Sequence, residues 1–166
     1  MLEIAFDADE EWDSSRSWEK LAQKAAEAAI AESAYPELAD ERRVEISVTL
    51  TGDEEVCQLN AKWRGKDKPT NVLSFPMADE QDFSVASFVE TELLLGDIII
   101  ARSVCGAEAA ERGITLEDHA AHLMIHGTLH LLGYDHQEDR QAEDMEAREV
   151  RALRRLGIEN PYEVTA

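Results

Sequence analysis

Leu2, Ile4 and Phe6 alternate with Glu3 and Ala5, and Val44, Ile46, Val48 and Leu50 alternate with Glu45, Ser47 and Thr49. A period of two sends every second side chain to one face, so both stretches predict half-buried strands. Between them Trp18, Leu21, Ala22, Ala25 and Ala29 recur at helical spacing. They predict a helix that ends before Pro36, because the residue ahead of a proline avoids helical geometry. Thr51 and Glu54 have the spacing of a capping box and open a second helix with Val56, Leu59 and Trp63 on one face, followed by a polar link over 65–69.

Residues 71–75 read as a short strand stopped by Pro76, 78–92 as a loop or hairpin arm, and 93–101 as a strand buried on both faces, with Asp97 its odd member. A helix over Arg102–Arg112 ends at Gly113, and Thr115 with Asp118 caps the next. A last helix over 138–156 sets Ala142, Met145, Ala152, Leu153 and Leu156 on its core face, with Gly157 just beyond it. Strands first and helices later predict an α+β fold, a small mixed sheet packed with about five helices. At 166 residues and 44% hydrophobic content the chain suffices for one core, so residues 1–166 are expected to form a single domain.

Charge and cysteine content narrow the setting. The N-terminal residues are acidic and lack the basic-then-apolar layout of a signal peptide, and Gly96 and Asp97 interrupt the most apolar run; a cytoplasmic protein without membrane contact is expected. Cys57 and Cys105 stand far apart in no redox or nucleophile signature and read as small hydrophobes. The net charge of -20 opposes attraction to nucleic acid as a whole. Screening within about 8 Å at physiological salt still lets a local patch act, and Lys62, Arg64, Lys66 and Lys68 form one candidate. Arg148, Arg151, Arg154 and Arg155 read as a solvated face of mixed charge.

The chemistry concentrates in His126-Gly-Thr-Leu-His130-Leu-Leu-Gly133-Tyr134-Asp135-His136. Residues four apart on a helix are rotated by ~40° and separated by ~6 Å, so His126 and His130 can face one ion near the end of a central helix. On a continuing helix the third histidine would stand ~9 Å further on and ~120° around the axis, so the helix must stop and turn back. Gly133 supplies that stop, since glycine takes the left-handed conformation freely. Three neutral imidazoles favour one zinc ion per chain, or another borderline divalent ion, and leave a coordination position open. Such a site polarises a phosphoryl or carbonyl oxygen and acidifies water from a pKa of ~15.7 to near 7, which is hydrolytic chemistry. His119 and His122 lie near the same stripe and are not read as ligands; His122 is the stronger candidate for supporting them. The spacing also resembles the metzincin protease cradle, but the glutamate that serves there as general base is replaced by Gly127.

The histidine segment resembles, position for position, the signature of the YbeY family of bacterial endoribonucleases, also called rRNA maturation factors. Leu59-Asn60-Ala61-Lys62-Trp63-Arg64, then Asp67-Lys68-Pro69-Thr70-Asn71-Val72-Leu73-Ser74-Phe75-Pro76, resembles the family's second block, and Leu95-Gly96-Asp97-Ile98 its third. The resemblance spans residues 44–156, the first forty being less distinctive. It implies a single-strand-specific, metal-dependent endoribonuclease acting in ribosomal RNA processing, at the 3′ end of small-subunit RNA, and in ribosome quality control. It implies zinc ligands at His126, His130 and His136 and an arginine, Arg64, facing the metal cleft. The partners implied are single-stranded RNA, ribosomal particles and proteins bound to them. Lys62, Lys66 and Lys68 are candidate guides for the RNA backbone. Water or a neighbouring 2′-hydroxyl stands open as the nucleophile. Two other functional classes stay open beside it: a zinc peptidase or other metallohydrolase, and a ribosome-assembly factor whose metal is mainly structural.

Overall fold

The computed structural model describes residues 1–13, 17–40, 42–65, 70–83 and 92–162. Four strands, β1 (Leu2–Ala8), β2 (Arg43–Thr51), β3 (Val72–Pro76) and β4 (Glu92–Ala101), form one sheet in the order β1-β2-β4-β3. The first three in that order run parallel, and β3 lies antiparallel to β4 at an edge. The helices among the described residues are α1 (Trp18–Ala31), α2 (Asp53–Arg64), α3 (Arg102–Arg112), α4 (Leu116–Leu131) and α5 (Asp139–Arg155). The expected α+β architecture with a mixed sheet and five helices is the one observed.

The alternation in β2 does what its period predicts: Val44, Ile46, Val48 and Leu50 enter the large core, which α1, α4 and α5 cover. On the other face Val56 of α2 packs against Leu73 and Ala101, with Leu59, Phe75 and Ile99 around them. Helix α4 is the central one. Its buried residues run around the axis, from His119, Ala120 and Ala121 to Leu129 and Leu131, because it meets β3 and β4 on one side and α1, α3 and α5 on others.

Strand β4 carries the feature its apolar run conceals. Leu93 and Leu95 face the large core, and so do Ile98 and Ile100, which strict alternation forbids. An extra residue accounts for the change of phase: Glu45 pairs with Leu94 and Ile46 with Gly96, leaving Leu95 as the bulge. Gly96 has φ +148, and a Cβ there would stand 2.4 Å from the Phe75 carbonyl oxygen and 2.7 Å from Leu131 Cδ2. Only glycine lets β3 and the end of α4 close onto the bulge together.

Local corrections follow from pairing that spacing alone does not reveal. The capping box expected of Thr51 and Glu54 is not formed: Thr51 ends β2, Gly52 is the N-cap of α2, and the Thr51 hydroxyl donates to Glu55 at 2.5 Å. Pro76 belongs to β3, opposite Gly96, instead of stopping it, which an edge strand tolerates. Within the arm expected over 78–92, Glu80–Phe83 form a 3-10 turn and 84–91 lie outside the described residues. The boundaries of α3, with left-handed Gly113, and the Thr115 cap accepting from the Asp118 N–H match expectation.

Candidate metal centre

His126 and His130 stand one turn apart near the C-terminus of α4, with their Nε2 atoms 3.0 Å apart. The helix ends as glycine at that position dictates. Gly133, with φ +95, donates its N–H to the His130 carbonyl at 3.0 Å, and the Tyr134 N–H donates to Leu129 at 3.0 Å. These paired bonds reverse the chain. Tyr134 pins the returning segment, its hydroxyl accepting from the Ala34 N–H at 2.9 Å and its ring lying 4.8 Å beneath the Arg148 guanidinium. The His136 ring then comes within 5.6 Å of His126 and 5.2 Å of His130, centroid to centroid.

One nitrogen from each of the three rings lies within 4.8 Å of the other two. A tetrahedral ion bound at ~2.0–2.1 Å spaces its nitrogens roughly 3.3 Å apart; the His126–His130 pair at 3.0 Å already matches that spacing, and His136 completes a donor set that fits one divalent metal by closing inward. Ligation needs neutral imidazole. Burial, then the neighbouring charges of His126 and His136, press His130 down to about 4 against an opposing main-chain hydrogen bond with Tyr134. The nitrogens open onto a cleft of about 610 Å³ walled by Asn71, Ser74, Pro76, Tyr134 and Gln137.

Sequence reasoning missed Glu149. It is fully buried on α5, at 0% exposure, and its carboxylate accepts short hydrogen bonds from His126 Nδ1 and the Tyr162 hydroxyl. His122 Nε2 lies 3.5 Å from the same group. Burial alone would raise its pKa, but the hydrogen bonds donated by His122 and His126 overcome that and hold it at about 2. The available signal was an acid within the Met145, Ala152 and Leu153 stripe of an otherwise amphipathic helix.

The remaining candidates separate by position. His119 is no ligand: its Nε2 is 2.9 Å from Glu108 Oε1, which also accepts from Asn71 Nδ2 at 3.1 Å, tying α3, α4 and the start of β3 together. Burial chiefly lowers its pKa. Lys62 is exposed, with Nζ 5.2 Å from the Trp63 ring centroid, on the helix that covers the face of β3 opposite the cleft. Arg64 ends α2, but its side chain, and Lys66 and Lys68 entirely, lie outside the described residues. In the C-terminal cluster, Arg151 and Arg155 bond to Glu32, at 3.0 and 2.5 Å, and Arg148 bonds to Asp144 at 3.0 Å, the mixed-charge face expected. Cys57 and Cys105 are not joined in a disulfide, and burial pushes the Cys105 thiol up to about 12.

A family model described as Endoribonuclease YbeY matches residues 4–157. The chain is 49% identical to Endoribonuclease YbeY of Rhizorhabdus wittichii over 99% of both chains, and 48% identical to that of Sphingopyxis alaskensis over 98% of both. The solution structure of TM1509 from Thermotoga maritima shares the fold at a TM-score of 0.56 and 26% identity, covering 93% of this chain and 92% of that one.

Proposed function

This chain belongs to the YbeY endoribonuclease family, and from that premise we propose that it is a metal-dependent endoribonuclease specific for single-stranded RNA. Its place in the cell is ribosomal RNA processing, at the 3′ end of small-subunit RNA, and ribosome quality control in the cytoplasm. Residues 1–166 act as one enzymatic domain. The observation that carries this reading is the convergence of three imidazole nitrogens within 4.8 Å at the wall of an open cleft.

His126, His130 and His136 hold the metal, one zinc ion per chain, which three imidazoles favour over harder ions. When bound, zinc supplies Lewis acidity toward a phosphoryl oxygen and makes water more acidic. Arg64 holds the scissile phosphate through its planar fork and stabilises charge as it develops there. Lys66 and Lys68 lead the RNA backbone toward the cleft, and Lys62 meets it farther out, on the far side of edge strand β3. The interlocked loop at Gly133 and Tyr134 fixes the third ligand in place before substrate arrives, so little reorganisation accompanies the reaction. A net charge of -20 weakens affinity for naked RNA, so the substrate is met on ribosomal particles, where bound proteins offset the repulsion.

Arg64→Ala separates chemistry from metal binding. Assayed against single-stranded and duplex RNA of one sequence, the wild type cuts the single strand alone. The variant keeps its zinc and loses roughly 10²–10³-fold in cleavage rate, the cost of removing one donor to developing charge. Loss of zinc in the variant, or unchanged cleavage, contradicts the assignment. Product ends identify the nucleophile, since a 2′,3′-cyclic phosphate arises only from the neighbouring hydroxyl.

A further inference from the structure

Glu149 is a carboxylate with no solvent exposure, where an uncompensated charge costs several kcal/mol. Its compensation is specific. Oε1 accepts from His126 Nδ1, and Oε2 accepts from the Tyr162 hydroxyl. His122 Nε2 lies 3.1 Å from that hydroxyl oxygen and 3.5 Å from Oε2, and its ring meets the Tyr162 ring edge-on at 5.4 Å. His122 Nδ1 is buried with no hydrogen-bond partner among the described residues, which suits a neutral ring carrying its proton on Nε2.

We propose that Glu149, clamped by Tyr162 and His122, is the positioning residue of His126. An ionised carboxylate only accepts hydrogen bonds, so it selects the imidazole tautomer with the proton on Nδ1 and leaves the lone pair on Nε2. That Nε2 is the atom 3.0 Å from His130 Nε2. The negative charge one bond away also strengthens His126 as a donor to a dication. Tyr162 lies in the turn after α5 and beyond the residues that the family model matches, 4–157. Its hydroxyl is the close partner of Oε2, so the segment past α5 clasps the metal site from behind. The inference rests on the metal-binding part of the function proposed above and adds the residues that make His126 a ligand.

The test titrates Zn²⁺ alone against a competing chromogenic chelator in the wild type, Glu149→Gln and Tyr162→Phe, and reads the His126 tautomer by ¹⁵N NMR in the chelated proteins. Glu149→Gln is expected to weaken zinc binding about 10–100-fold and to lower the Nδ1-protonated fraction of His126. Tyr162→Phe, which keeps the ring and removes the hydroxyl, weakens binding several-fold with a chelated-state Tm close to wild type. Wild-type zinc affinity and tautomer in both variants would overturn the proposal. So would affinity lost only in proportion to lost folding, which marks a core pillar and no more. Because both readouts need no RNA, weakened zinc binding supports the inference even where the wild type leaves RNA uncut, a result that counts against the nuclease reading alone.

Discussion

Gly96 and Gly127 decide where the histidines can stand. A Cβ at Gly127 would lie 3.0 Å from Ile98 Cγ2, so the residue after the first ligand faces the sheet and lets α4 press against β4. The position that holds a glutamate in metzincins is here a packing contact, which removes the protease reading for a second reason. Gly96 is the stricter case, because its blocking neighbour is a backbone oxygen and its φ is +148. Gly96→Ala is expected to destabilise the protein by roughly 2–5 kcal/mol, strain and overpacking together, in urea denaturation. A change below about 0.5 kcal/mol would show that β3 and β4 can part without cost. The three histidines and Gly133 were legible in the sequence because their geometry is local: four residues of helix, then a stop. Glu149 was not, because its partner His126 is 23 residues away on another helix and only packing brings them together.

Among the elements, the boundaries that could be read were those marked by chemistry at the boundary itself. Gly113 closes α3 and Thr115 caps α4 with no help from elsewhere. The N-terminus of α2 looked equally clear, yet Thr51 stays in β2, paired with Ala101, because the ladder to β4 claims its backbone first. The β4 run showed burial on both faces but not its change of phase, since a bulge exists only relative to the partner strand. Sheet order was likewise invisible. Placing β3 at the edge sets alternate residues to different tasks: Ser74 and Pro76 wall the cleft, while Leu73 and Phe75 join α2 on the far side. The C-terminal arginines find their role at this scale too, fastening α5 to Glu32 past the end of α1.

For the molecule as a whole, the acidic charge and an RNA substrate pull in opposite directions, and the basic segment from Lys62 to Lys68 is where we propose that they meet. Each phosphate contact removed should flatten the slope of log affinity against log salt by about 0.7 for single-stranded RNA. Replacing Lys62, Lys66 and Lys68 together with alanine is therefore expected to reduce that slope by roughly 2; an unchanged slope assigns RNA contact to other residues. His126, His130 and His136 all line the cleft, and the central claim is that they hold the ion on which cleavage depends. Elemental analysis beside RNA cleavage, in wild type and in a His130→Ala variant confirmed as folded by circular dichroism, tests it most directly. The expected result is one zinc per wild-type chain, cleavage lost on chelation and restored by Zn²⁺, and neither metal nor cleavage in the variant. Full cleavage of single-stranded RNA by metal-free protein would contradict it.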